Sequence, residues 1–216
     1  MSQPKISDST VRRLSVYLRL LRELNGEGRD IVSSQELAER SGTTSAQVRK
    51  DLSLFGSFGK RGRGYDVDGL AETLVRILGL GRTWRVAVVG AGKIGSALLG
   101  YRDLGARGFD IVAAFDTDSE KVGREIFGVE VSHLSRADRV VSDREVEIAI
   151  VATPPEAAQD VTDRLTAAGV AGILNFAPVK LDSPPGVMIR SMDVALELEG
   201  LSFALSRSED RVSTER

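Results

Sequence analysis

"RVAVVGAGKIGSAL", residues 85–98, runs from an apolar stretch into a glycine-rich turn and then into helix formers. Strand, tight turn and helix in that order form the setting in which Gly-x-Gly-x-x-Gly holds a dinucleotide. Gly90 makes the turn, Gly92 lets the backbone approach a pyrophosphate, and Gly95 lets the helix pack on the strand. The expected phosphate turn is therefore Gly90, Ala91, Gly92, Lys93, Ile94 and Gly95, with unpaired N–H groups at the helix start facing the phosphates. The next strand, "FDIVAAFD", ends on Asp116, about 20 residues beyond the last glycine. A carboxylate there accepts from the adenosine ribose 2′-OH and repels a 2′-phosphate. NAD is favoured over NADP, with Lys121 and Arg124 as nearby cations that argue the other way.

Strand-like runs continue in "VEVSHL", "EIAIVAT" and "GILNFA", and the helix "PPEAAQDVTDRLTAAG" separates the last two. Alternating strand and helix predict a Rossmann-type, doubly wound parallel sheet. Ligands of such sheets sit at the carboxyl ends of the strands, which nominates Thr153, Pro154, Asn175 and Phe176. The closing helix, "DVALELEGLSFALSRS", is apolar on two sides: Val194, Leu198, Leu201 and Leu205 on one, Leu196 and Phe203 on the other. A terminal helix with two faces to cover predicts an exchanged helix in a homodimer. A helix wedged inside its own domain is the other reading.

Upstream of the sheet, "GLGRTW" (79–84) reads as a linker, and the charge balance changes sign after it. Residues 1–84 hold 14 Lys and Arg against 10 Asp and Glu, while residues 85–216 hold 15 against 21. Opposite signs suggest two domains with different partners, the basic one meeting nucleic acid. Its first helix covers residues 10–25, capped by Ser9 or Thr10. Ser33-x-x-Glu36 and Thr44-x-x-Gln47 are capping boxes that open two more helices, closed by Gly42 and Gly56. Short connections between them fit a helix-turn-helix.

On the third helix, Val48, Leu52 and Phe55 form the inward stripe. The expected DNA surface comprises Ser45, Ala46, Gln47, Arg49, Lys50 and Ser53, then Phe55 and Gly56 at the helix end. Gln pairs with adenine, and Arg or Lys with guanine. "FGSFG" and "GYDV" are expected to be the two strands of a wing, with Lys60, Arg61, Arg63 and Tyr65 completing the surface and the arginines suited to a narrow minor groove. A solvated basic loop is the alternative. Another helix follows in "DVDGLAETLVRILGL", capped by Asp68. The expected domains are a winged helix at 1–78, a linker at 79–84, a nucleotide domain at 85–190, a dimerisation helix at 191–207 and a tail at 208–216.

The chain has no Cys and a single His, His133, which excludes disulfides, thiol nucleophiles, Cys-based zinc sites and His clusters. No run approaches the ~18 apolar residues of a membrane span, and the N-terminus lacks a secretory apolar stretch. A cytoplasmic protein that binds neither membrane nor metal is expected. Few residues are left over for a substrate domain, and no Tyr-x-x-x-Lys pair is visible. A sensor is therefore expected rather than an enzyme. A small NAD-dependent oxidoreductase with a basic interaction domain is the alternative, and a coenzyme A-binding module of ligase type shares the fold.

"VRKDLSLFGSFGKRGRGY", "VAVVGAGKIGSAL", "ATPPEAA", "GILNFAP" and "MDVALELEGLSF" together resemble the Rex family of redox-sensing transcriptional repressors, in order across residues 10–206. The resemblance implies a homodimer that binds operator DNA when NADH is scarce, releases it when NADH binds, and takes NAD+ as a weaker competitor. Family targets are typically genes for fermentation and respiration. By resemblance, the phosphate turn is Gly90 to Gly95, the nicotinamide-side tyrosine is Tyr101, and the interdomain arginine is Arg19. Asp193 of the partner subunit is implied to choose between those two.

Overall fold

A computed structural model describes residues 6–56, 58 and 64–214, with 208–214 as backbone only. The chain divides between Arg82 and Thr83 into two compact units.

The first unit opens with α1 (Asp8–Gly26), which starts earlier than the sequence suggests. Ser7, not Ser9 or Thr10, is the cap, and its Oγ accepts from the Thr10 amide at 3.2 Å. A two-residue strand, β1 (Ile31–Val32), precedes α2 (Ser34–Ser41) and α3 (Ser45–Ser53). Ser33 and Thr44 cap as expected, Ser33 accepting from the Glu36 amide at 3.0 Å and Thr44 from the Gln47 amide at 3.1 Å. Glu36 and Gln47 turn their side chains to Arg29 and Arg40 and to Asp51 instead of closing the boxes. Each cap stabilises its helix by about 1 kcal/mol. Gly42 closes α2 at φ +68°, a left-handed position that suits glycine. α3 stops at Ser53, short of Gly56.

The strand β2 (Tyr65–Asp66) and α4 (Val67–Ile77) complete the unit. β2 pairs antiparallel with β1, Val32 opposite Tyr65, and the other expected wing strand, "FGSFG", lies partly outside the described residues. Phe58 of that stretch packs against the unit's core and lies outside any strand. α4 is capped by Asp66, whose Oδ1 accepts from the Gly69 amide at 2.6 Å. Asp68, the expected cap, instead accepts from the Asn25 side chain. Leu14, Tyr17 and Leu21 of α1, Leu37, Val48, Leu52 and Leu74 make one buried core.

The second unit runs β3 (Trp84–Val89), α5 (Lys93–Leu99), α6 (Asp103–Ala106), β4 (Phe109–Asp116), β5 (Glu125–Ile126), β6 (Val129–His133) and α7 (Ala137–Asp143). It continues with β7 (Ile148–Val151), α8 (Pro155–Ala167), β8 (Gly172–Asn175), β9 (Met188–Ser191) and α9 (Val194–Thr214). The sheet order is β5-β6-β4-β3-β7-β8-β9, and every pairing except β5 with β6 is parallel. Leaving aside β5, this is the dinucleotide-binding order 3-2-1-4-5-6, which reverses between β3 and β7 and opens a crevice there. β9 reaches the sheet from β8 without an intervening helix, which the sequence reading missed. Residues 208–216, expected as a tail, are helical through Thr214.

Candidate functional site

The head presents Ala46, Arg49, Lys50 and Ser53 on the exposed side of α3, with Ser45 half-buried at its start. Arg49 donates to Ser34 Oγ at 3.0 Å, which ties α3 to the first residue of α2. Gly56 is exposed at φ +136°. Lys60, Arg61 and Arg63 lie outside the described residues.

Three expected DNA contacts are directed inward instead. Tyr65 is only 9% exposed and belongs to the core, because β2 turns it under the helices. Phe55 is half-buried against the same core. Gln47 spends its amide on Asp51, Nε2 donating to Oδ1 at 2.7 Å.

Asp51 was no sequence candidate, yet it organises this helix. Its side chain is 2% exposed and accepts a forked pair from Arg13 of α1, Nε to Oδ2 at 2.6 Å and Nη2 to Oδ1 at 2.8 Å. Tyr17 donates its hydroxyl to Oδ2 at 3.1 Å. Burial alone would raise the Asp51 pKa, but donors on Arg13, Gln47 and Tyr17 hold it below the ordinary carboxylate value. Burial, then the bond to Asp51, pushes Tyr17 up to about 12.

The pH dependence follows from these signs. A lowered carboxylate contributes stability above its unfolded value of 3.8 and loses it in acid. A raised phenol contributes fully below 10.0 and loses it as pH rises towards about 12. The head should therefore melt at a constant temperature between about pH 5 and 9 and fall on both sides. Circular-dichroism melts across that range measure it, and a slope near neutrality would contradict the cluster.

In the second unit, a cleft of about 1050 Å3 is lined by the turn residues Gly90, Gly92, Lys93 and Ile94, by Asp116, Thr117, Asp118 and Lys121, and by Thr153 and Pro154. Gly90 takes φ +92°, and a side chain there would strike the Ala152 carbonyl 2.5 Å away. Gly92 is different: nothing stands within 4 Å of the place its Cβ would occupy, so the cradle is open. Gly95 packs so closely that a Cβ would run into the Gly90 carbonyl oxygen. Thr153 Oγ1 is buried without a hydrogen-bond partner. An open backbone cradle and an unmatched hydroxyl beside it suit a polyhydroxylated, phosphorylated ligand.

Asp116 is tied to the turn itself. Oδ2 accepts from the Ala91 amide at 2.8 Å and from Lys121 at 3.2 Å, and Oδ1 from the Asp118 amide at 2.9 Å. Burial would raise its pKa, but the Asp118 amide, Lys121 and the Ala91 amide hold it low. A carboxylate has about four acceptor positions, so one remains for a ribose hydroxyl. Lys121 also pairs with Asp118 at 3.3 Å, so its charge is already matched by two carboxylates. A 2′-phosphate would have to compete with both.

Asn175 and Phe176 do not line the cleft. Asn175 is wholly buried and staples the loop after β8, donating to the carbonyls of Ala177 (3.0 Å) and Val179 (2.9 Å) and accepting from the Ala177 amide (2.8 Å). That loop replaces the helix expected between two parallel strands, and the amide supplies the bonds a helix would have made. Phe176 packs against the sheet core and does not line the cleft. Tyr101 is 53% exposed and also off the cleft wall. Arg19 is exposed on α1, and Asp193 caps α9, accepting from the Ala195 amide at 2.9 Å. His133 accepts from the Ser135 amide at the end of β6. Among the described residues no helix is long and apolar enough to cross a membrane, and no three acidic or His side chains are grouped to hold a metal.

A helix-turn-helix head and a dinucleotide-type cleft in one chain define a DNA-binding regulator with a small-molecule receiver. Residues 5–53 match the family model "Putative DNA-binding protein N-terminus" and residues 81–179 match "CoA binding domain". The redox-sensing transcriptional repressor Rex of Carboxydothermus hydrogenoformans is 50% identical over 94% of this chain and 98% of its own length. That of Streptomyces griseus is 47% identical over 92% and 78%. Among solved structures, RSP, a Rex-family repressor, superposes with a TM-score of 0.89 at 32% identity, covering 99% of this chain and 100% of RSP. RSP in complex with NAD+ and operator DNA gives 0.90 at 33% identity, covering 98% of each. This chain belongs to the Rex family of redox-sensing transcriptional repressors. Its relatives are named as repressors and not as enzymes.

Proposed function

We propose that this chain is a cytoplasmic homodimer that holds operator DNA with its two heads and lets it go when NADH occupies the cleft, without metal or membrane. The observation that carries the reading is the relative RSP, whose structures include one with NADH and one with NAD+ and operator DNA. The open turn at Gly92 and the unmatched Thr153 hydroxyl support a dinucleotide in this chain.

When bound, the cofactor brings a neutral ring in its reduced form and a pyridinium cation in its oxidised form. Asp193, Tyr101 and Arg19 are the residues that read the difference. A carboxylate near the ring is drawn to the cation and loses that attraction on reduction, so it can choose differently between Tyr101 and Arg19. Because α1 carries both Arg19 and the Arg13 that grips Asp51 of α3, a pull on Arg19 acts on the recognition helix. A dimer reads two half-sites about 34 Å apart, and a change of that spacing forfeits one of them.

A gel shift on a palindromic operator library, with and without saturating NADH, tests the reading. Release by NADH is expected, and equal retention in both lanes would overturn it. Linkage also requires operator DNA to weaken NADH binding by the same factor. Gly95→Ala should weaken NADH binding about 100-fold, because overpacking against backbone costs about 3 kcal/mol where nothing can yield. Titration of nicotinamide fluorescence measures it, and near-normal affinity would move the dinucleotide away from this turn.

A further inference from the structure

We propose that Phe127 is a positioning residue for Tyr101, holding the corner from which that tyrosine meets the nicotinamide; the inference rests on Tyr101 having the role just given. The β5–β6 hairpin has Ile126 opposite Val129, which leaves Phe127-Gly128 as a two-residue turn. Its φ values are +51° and +85°. A turn with two positive φ values is of type I′, which favours Asn-Gly, Asp-Gly or Gly-Gly. A bulky aromatic at the first position is strained. Burial does not compensate, since Phe127 is 71% exposed.

The ring lies against Gly100. Its Cε2 and Cζ both stand 2.7 Å from where a Gly100 Cβ would be, and Cδ2 stands 3.1 Å away. Gly100 itself sits at φ −83°, ψ −1°, a conformation any residue adopts, so glycine is required there for room and not for backbone freedom. Gly100 caps α5, the helix that begins at the phosphate turn, and Tyr101 follows it directly. The Tyr101 amide donates to the Leu98 carbonyl at 3.1 Å, and its carbonyl accepts from the Leu104 amide at 3.2 Å, so its backbone bridges α5 and α6. A strained exposed aromatic and a glycine kept only for space converge on the residue before Tyr101. The ring braces this corner from outside and limits how far Tyr101 can swing. A half-exposed tyrosine otherwise loses side-chain freedom whenever it engages a ligand.

Phe127→Asn removes the ring while giving the turn a residue it favours. The expected result is an unchanged or higher melting temperature, an unchanged affinity for ADP, and NADH affinity lower by about threefold to tenfold, with the preference for NADH over NAD+ reduced. Gly100→Ala should reproduce the loss by pushing the ring away without backbone strain. Tyr101→Ala serves as the reference. If it diminishes the NADH preference while both other variants keep the wild-type value, the positioning role is overturned. Equal losses for ADP, NADH and NAD+, or a lower melting temperature in Phe127→Asn, would mark Phe127 as merely structural and overturn it too. If Tyr101→Ala leaves the preference intact, the reading of Tyr101 fails first, and the role of Phe127 fails with it.

Discussion

Replacing Asp51 by alanine is expected to destabilise the DNA-reading head by about 3 kcal/mol. Removing one member of a buried ion pair typically costs about 3–5 kcal/mol, because the other charge is left without a partner. The low end applies here, since Arg13 keeps 29% of its side chain exposed and can recruit water. Tyr17 and Gln47 also lose their acceptor. At about 0.05–0.15 kcal/mol per residue a unit of this size has roughly 4–12 kcal/mol in all, so the loss takes at least a quarter of it. Operator binding should therefore be severely weakened, while the cofactor cleft, which lies wholly in the other unit, still fills. The sole tryptophan, Trp84, starts β3, so its fluorescence reports the second unit and serves as an internal control. Urea unfolding followed by circular dichroism and by Trp84 should separate in Asp51→Ala further than in the wild type. Coincident, unshifted transitions would show that the cluster contributes nothing. Asp51→Asn keeps an acceptor for Arg13 and should lose less.

The second large effect is expected at α9. Val194, Leu196, Leu198, Leu201, Phe203 and Leu205 are each 55–64% exposed within one chain, so both apolar sides face solvent until something covers them. A helix wedged in its own domain would have buried one side, and this one buries neither. In an exchanged-helix dimer each of two leucines would lie in a symmetric interface twice. Leu198→Asp combined with Leu201→Asp should forfeit about 6–12 kcal/mol of apolar burial across the pair of helices, before any cost of hiding the new carboxylates. Sedimentation should show a monomer at micromolar concentration, and operator affinity should collapse because a lone head reads one half-site. A dimer that survives both substitutions would place the interface elsewhere.

What could be read beforehand divides by sequence distance. Ser33, Thr44 and Gly42 announce their roles within four residues, and the turn from Gly90 to Gly95 carries its geometry in its own spacing. The two apolar sides of α9 are likewise a local pattern. Asp51 could not be read so, because its partners Arg13 and Tyr17 lie 38 and 34 residues away on another helix. One clue was present: Asp51 neighbours Leu52 on the inward stripe, where an unpaired carboxylate would be costly. Tyr65 is buried for a related reason. Glycine-rich flanks suggested a self-contained hairpin, whereas β1 is two residues long, too short to show a period. Asn175 looked like a ligand contact because of its place at a strand end, and a helix-free crossover claimed it instead. Phe127 was invisible, since a type I′ turn is not expected around phenylalanine.

The buried cluster of the first unit draws on no described residue beyond Leu80, and those of the second on none before Val86. Each half thus carries its own means of staying folded, on either side of the stretch between Leu80 and Val86. A protease that nicked the chain there would set loose a fragment still able to recognise half an operator but deaf to the cofactor. In a cell, such fragments would obstruct promoters feebly and without regard to metabolic state, blurring the intact protein's response.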